Sequence, residues 1–214
     1  MIELLHRTRI VAILRLDDLT DAEPIVRSLL AGGIRFIEFT LTNPQASEKV
    51  ALLRREIVEF VSEQAAIGLG SVRTLEEAQL ALDSGAQFIV SPITNVEIIR
   101  LCKARKIPVM PGAMTPTEMY LAWSHGAEVI KLFPASNLGP SYLKDVLAPM
   151  PFLQVMPTGG VTLENMQSYF DVGAVAVGIG SNLIPKRLIA NKDWKGIEAI
   201  GSEYANRGAK CTTS

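Results

Sequence analysis

The sequence predicts an α/β fold, a single (β/α)8 TIM barrel with extra C-terminal helices over residues 1–214. Three observations carry that expectation. Short β-rich runs recur about eight times, at a spacing of roughly 20 to 30 residues, as a (β/α)8 barrel requires. Amphipathic helical stretches separate them. No Pro/Gly/Ser linker, charge run or low-complexity segment divides the chain. An open doubly wound sheet has the same periodicity and competes with the barrel on this ground.

The runs are, in order, "RIVAILRL" (9–16), "FIEFTL" (36–41), "AAIGLGS" (65–71), "FIVSPI" (88–93), "PVMPG" (108–112), "VIKLFP" (129–134), "LQVMPTGG" (153–160) and "AVAVGIGS" (174–181). Between them, "TLEEAQLALDSG" (74–85), "TPTEMYLAWSHG" (115–126) and "TLENMQSYFDVG" (162–173) read as helices. Each opens on a Thr suited to the N-cap, carries an acidic residue in its first turn and ends on a Gly suited to a left-handed terminus. Residues beyond about 185 read as closing helices followed by a frayed tail.

Composition narrows the function. A net charge of −1 and a pI near 6.2 give no sign of a nucleic-acid surface. Two distant cysteines, Cys102 and Cys211, suit a reducing cytoplasm better than a disulfide framework. The opening "MIELLHRTRIVAILRL" lacks the organisation of a secretory signal, and no apolar run is long enough to span a membrane. With only His6 and His125 and no HExxH pattern, no metal site or other cofactor is expected.

Residues two apart in a strand share a face. In "FIEFTL" the wholly apolar phase Ile37, Phe39, Leu41 belongs against helices, which sends Phe36, Glu38 and Thr40 into the barrel. The same rule places Val129, Lys131 and Phe133 inside, with Ile130 and Leu132 outside. It also places Val11, Ile13 and Arg15 on one phase, with Arg15 at the strand end where barrel sites form. Glu38, Lys131 and Arg15 therefore converge on one cavity.

A lysine inside such a strand is costly. Moving its pKa from about 10.4 to about 7 costs roughly 5 kcal/mol. A structural ion pair with Glu38 is one reading. A nucleophile is the other: an amine attacks a carbonyl only when neutral, and desolvation favours the neutral form. Lys131 is the one lysine in such a position, the rest lying in helical or loop stretches. Glu38 is the candidate proton shuttle, and Ser71 in "GLGSV" can add a hydroxyl. "PTGGV" (157–161) and "GIGSN" (178–182) close the last two strands, where barrels commonly bind phosphate on backbone amides.

Taken together, "IEFTLTNP", "IGLGSVRTLEEA", "FIVSP", "PVMPGAMTPTE", "VIKLFPAS", "PTGGVTLEN" and "AVAVGIGS" resemble the 2-keto-3-deoxy-6-phosphogluconate (KDPG) / 4-hydroxy-2-oxoglutarate (KHG) aldolase family, from about residue 8 to 183. The resemblance implies a class I, metal-free aldolase, a homotrimer, acting on a phosphorylated keto acid to give pyruvate. It implies that Lys131 forms the Schiff base and Glu38 is the acid/base. Phe133 would lie beside the substrate, Thr158 and Ser71 would contact its pyruvyl part, and the amides of Gly159, Gly160, Gly180 and Ser181 would hold phosphate. One position departs. Many members carry an arginine shortly after the strand-two glutamate, where this chain has Thr42. Other members have Thr there and an arginine at the end of strand one, so Arg15 is expected to supply the charge. That departure leaves the substrate open among phosphorylated gluconate or galactonate derivatives and an unphosphorylated keto acid. A phosphosugar isomerase or epimerase, and a non-catalytic phosphosugar sensor, are the further alternatives that the same residues permit.

Overall fold

The computed structural model describes residues 1–210; Cys211 and the expected frayed end lie outside the described residues. The chain opens with α1 (Ile2–Thr8), β1 (Ile10–Leu14), α2 (Ala22–Ala31), β2 (Phe36–Thr40), α3 (Ala46–Glu56), α4 (Val58–Val61) and β3 (Ala66–Gly70). It continues through α5 (Leu75–Asp83), β4 (Ile89–Val90), α6 (Val96–Ala104), β5 (Val109–Met110), β6 (Gly112–Ala113) and α7 (Pro116–Ser124). The remainder is β7 (Ile130–Leu132), α8 (Gly139–Leu147), β8 (Val155–Pro157), α9 (Met166–Asp171), β9 (Val177–Ile179), α10 (Lys186–Ala190) and α11 (Trp194–Lys210). Every run predicted as a strand carries one.

All strand pairings are parallel, and the sheet curls. The expected single eight-stranded ladder is corrected in one respect: the strands form a six-stranded sheet, β5-β4-β3-β2-β1-β9, and a three-stranded sheet, β6-β7-β8. The division falls at Pro111, inside the run read as one strand. Proline has no N–H to give to a ladder, although its carbonyl still accepts from the Lys131 amide at 2.9 Å.

Two apolar clusters reflect the two faces of the strands. Ile37 and Phe39 pack outward into the large core against the helices. Val11, Phe36, Ala66, Phe88, Val129 and Met156 belong to a separate inner cluster. Phe36 and Phe88 meet there with ring centroids 5.4 Å apart. Leu5 of α1, fully buried, joins this inner cluster. Helix α1 precedes the first predicted run and was not expected from the sequence. What separates it from β1 is Arg9, whose left-handed backbone (φ 61°) ends the helix, while its guanidinium donates to the Ala174 carbonyl at 2.8 Å.

The predicted caps are present where side-chain chemistry suffices. Thr74 and Thr115 each form a capping box, with Glu77 and Glu118. Gly85, Gly126 and Gly173 all take the left-handed conformation at the helix ends. The third helix starts later than its Thr suggested. Thr162 and Asn165 exchange hydrogen bonds (2.8 and 3.4 Å) in a turn of their own, and α9 begins at Met166. Among the described residues no helix is long and apolar enough to cross a membrane.

Candidate active site

The strand register sets the site on top of the inner apolar cluster. Ile13 pairs with Glu38 across β1 and β2, and Gly112 with Lys131 across β6 and β7. Glu38 stands two residues beyond Phe36, and Lys131 two beyond Val129. Both ionisable groups thus rest on an apolar floor. Glu38 is 1% exposed and Lys131 6%. The Glu38 carboxylate lies over Gly70 of β3, where any Cβ would overlap it. That glycine is therefore required by its neighbour's side chain and not by its own backbone.

Burial is the main influence on both groups. It raises the Glu38 pKa above the usual 4.5, against the opposing effects of Lys131 and Arg15. It also lowers the Lys131 pKa below 10.5, against Glu38 and with the help of the Arg15 charge. Both shifts favour the uncharged forms. No ion pair within 4.0 Å joins Lys131 to Glu38 among the described residues, and Glu38 Oε2 is buried without a hydrogen-bond partner. The structural ion pair is thus not formed by direct contact. Lys131 Nζ instead sits 4.7 Å from the centroid of the Phe133 ring.

The ten residues singled out from sequence, namely Lys131, Glu38, Arg15, Ser71, Phe133, Thr158, Gly159, Gly160, Gly180 and Ser181, all line one cavity of about 470 Å³. Ser71 is held at φ 62°, a left-handed backbone that a non-glycine residue adopts only under local constraint. Thr158 is 4% exposed, and its side chain occupies the space that a Cβ on Gly178 would need. Thr42 does not line the cavity; its hydroxyl meets that of Thr40 at 2.7 Å.

At the glycine-rich end, Gly159 (φ 96°) and Gly160 (φ 73°) make a turn after β8. A Cβ on Gly160 would meet Ser136 at 2.9 Å. The amides of Gly159, Gly160 and Ser181 donate to no group among the described residues. Two asparagines pin this turn: Asn165 donates to the Gly160 carbonyl (2.9 Å) and Asn182 to that of Val161 (3.0 Å).

Sequence reasoning missed several lining groups, chiefly Asp17, Asn182 and Lys186. Asn182 follows directly on the "GIGS" run, a signal that could have been used. Lys186 begins α10, and nothing local distinguishes it from a surface lysine. A larger depression of about 780 Å³ lies elsewhere, beside α1 and lined by Met1, Arg54, Glu63 and Lys106. None of its titratable side chains is buried, unlike Glu38 and Lys131 in the first cavity. Among the described residues no group of three or more His, Cys, Asp or Glu side chains could hold a metal ion.

Comparison with known proteins bears on the fold and the family. The family described as "Aldolase: KDPG and KHG aldolase" matches residues 1–200. The 2-dehydro-3-deoxy-phosphogluconate aldolase of Treponema pallidum (strain Nichols) is 35% identical over 202 residues, covering 94% of each chain. The 2-dehydro-3-deoxy-6-phosphogalactonate aldolase of Escherichia coli (strain K12) is 34% identical over 175 residues, 81% of this chain and 83% of that one. The crystal structure of KDPG aldolase from Legionella pneumophila, with pyruvate captured as a covalent carbinolamine, superposes with a TM-score of 0.84 at 28% identity, covering 93% and 95% of the two chains. The curled parallel sheet and these likenesses define an aldolase, an aldehyde-lyase. The chain belongs to the KDPG and KHG aldolase family.

Proposed function

We propose that this chain reversibly cleaves 2-keto-3-deoxy-6-phosphogluconate to pyruvate and glyceraldehyde 3-phosphate, and also 4-hydroxy-2-oxoglutarate to pyruvate and glyoxylate. One observation carries the reading: a single lysine, buried on an apolar floor and biased toward its neutral form, faces a cavity that also holds a carboxylate with an unpartnered oxygen. Neutral Lys131 attacks the C2 carbonyl, and the carbinolamine loses water to give an iminium. Glu38, through a water, takes the C4 hydroxyl proton. The C3–C4 bond breaks and its electron pair passes to the iminium nitrogen, leaving an enamine and releasing the aldehyde. Protonation at C3 and hydrolysis then free pyruvate and regenerate Lys131. Arg15, Ser71 and Thr158 orient the carboxylate end, with Phe133 alongside. The amides of Gly159, Gly160, Gly180 and Ser181 hold the phosphate, whose binding energy positions the scissile bond.

The same reading extends to the architecture. We infer that residues 1–210 form one domain in which the two sheets close as a single (β/α)8 barrel. Three links support closure. The Val175 amide donates to the Val155 carbonyl at 3.0 Å, Thr158 and Gly178 form a parallel bridge, and Pro111 joins β5 to β6. A crystal structure tests this directly.

Borohydride trapping with pyruvate, read by intact and peptide mass spectrometry, tests the chemistry. A reduced pyruvyl adduct on Lys131 is the expected result. Thermal stabilisation by phosphosugar acids without any adduct would instead favour the isomerase or sensor. The phosphogalactonate epimer is the second reading, motivated by the relative that acts on it, and cleavage rates on both epimers decide between them. Lys186 adds a cation to the cavity, and we assign it to the phosphate end. Lys186→Met is expected to cut kcat/KM for phosphorylated substrates about 5-fold through KM, as roughly 1 kcal/mol from an exposed ion pair implies. Its pyruvate trapping should match the wild type.

A further inference from the structure

Arg15 presents an unusual positioning problem. It lies past the last residue of β1, is exposed, and lines the cavity. Among the described residues its guanidinium makes no hydrogen bond or ion pair to any protein group. Only the backbone of the segment that carries it can therefore define where its charge stands. A lone flexible arginine loses rotamer entropy on binding, so fixing its base matters for how well it binds.

Beyond the end of β1, two hydrogen bonds from one side chain reach that backbone. Asn43, 8% exposed, sits in the turn after β2 and donates through Nδ2 to the carbonyls of both Leu16 (3.1 Å) and Asp17 (3.0 Å). Its own position is over-determined. Its Oδ1 accepts from the Gln45 amide at 2.9 Å. Its carbonyl accepts from the Ala46 amide at the start of α3, and its amide donates to Thr40 at the end of β2. Every polar group of Asn43 is thus used. The result is a part-buried cross-link from the turn after the strand that carries Glu38 to the segment that carries Arg15.

We propose that Asn43 is a positioning residue for Arg15, a cross-link between the loops after β1 and β2 that sets the guanidinium at the keto-acid end of the cavity. This rests on the aldolase reading, in which Arg15 meets the substrate carboxylate. The chain places a threonine, Thr42, directly before Asn43, and Thr42 turns to Thr40 and away from the cavity. Arg15 is then the cavity's one guanidinium, and what fixes its loop decides how well a 2-keto carboxylate is held. The charge on Arg15 also acts on Lys131 and Glu38, so a displaced Arg15 alters the site beyond substrate binding alone.

The test uses pyruvate in heavy water, following exchange of its methyl protons by NMR; this reports imine and enamine formation without a phosphorylated substrate. Asn43→Ala is expected to raise the half-saturating pyruvate concentration about 10-fold, the upper end for a lost neutral hydrogen bond, with the maximal exchange rate within about threefold. The rise should vanish in an Arg15→Met background, because two residues that act through one contact do not add. A merely structural Asn43 would give the same effect in both backgrounds, and that result would overturn the proposal. If Asn43→Ala does not fold, Asn43→Asp serves: it is isosteric, keeps the acceptor for Gln45 and loses both donations to the loop. An unchanged half-saturation in Asn43→Asp would likewise overturn it. Absence of exchange in the wild type would count against the aldolase reading itself and is distinguishable from either outcome.

Discussion

Lys131→Met is expected to abolish turnover while making the protein more stable. Without the amine there is no iminium to accept the electrons of the breaking bond, so kcat should fall at least roughly 10⁴-fold, more than about 5 kcal/mol of barrier. Lys131→Arg should be equally inactive, since a guanidinium stays protonated. The stability gain follows from proton linkage. The folded site lowers the Lys131 pKa, so below 10.5 the unfolded chain binds a proton that the folded one binds less readily. This penalty is present at neutral and lower pH, shrinks as pH rises toward 10.5 and vanishes above it. Methionine, packed against Phe133 and the apolar floor, removes it. A gain of about 1 kcal/mol is typical of relieving such a functional strain, and in a chain of this size it raises Tm by about 2–4 °C. Thermal melts at pH 7 and pH 10 should show the difference between variant and wild type narrowing with pH. Near-wild-type cleavage by either variant would remove Lys131 from the mechanism. The same shift predicts that borohydride trapping by the wild type reaches its half-maximal rate below pH 10.5.

Glu38→Gln is the second large effect. Amide and carboxylic acid have nearly the same shape, so the side chain should still fit over Gly70, but it can no longer take or return a proton. The expected loss in kcat is about 10²–10⁴-fold, the range for a positioned acid/base. Pyruvate should still trap on Lys131, more slowly, because attack by the amine does not require the carboxylate. Methyl-proton exchange, which does, should fall in parallel with kcat. The stability sign is opposite in pH to that of Lys131. Burial raises the Glu38 pKa, so above 4.5 the unfolded chain ionises more readily than the folded one. The penalty grows from pH 4.5 up to the folded pKa, and the Gln variant should melt higher at pH 8 with little difference near pH 4. A kcat within threefold of wild type would show that the unpartnered Oε2 has no part in proton transfer.

The two predictions share a cause. The inner cluster of Val11, Phe36, Val129 and Met156 lies beneath both groups, and among the described residues no direct ion pair compensates them. A surface lysine at the same place would remain charged and inert as a nucleophile, and a surface glutamate would be a weaker proton acceptor. The apolar floor is therefore part of the chemistry, although none of its residues reacts.

What the sequence by itself determined was whatever depends on local periodicity and capping. The alternation of Phe36, Glu38 and Thr40 against Ile37 and Phe39 fixes the inward face, since a one-residue slip would expose the apolar set. The same alternation places Lys131 inward, and Thr74 and Thr115 mark helix starts because their partners lie three residues away. Only the tertiary structure decided the rest. Helix α1 exists as a separate element because Leu5 enters the inner cluster and Arg9 turns the chain. The ladder divides at Pro111, where a neighbouring strand would have needed an N–H. Asn43, Asn165 and Asn182 hold the loops through bonds to carbonyls up to 27 residues away, and Lys186 reaches the cavity only because α10 follows β9 at its rim. A side-chain amide reads as a turn residue in any sequence; which carbonyl it will meet is set by distances between strands, and those exist only once the sheet has curled.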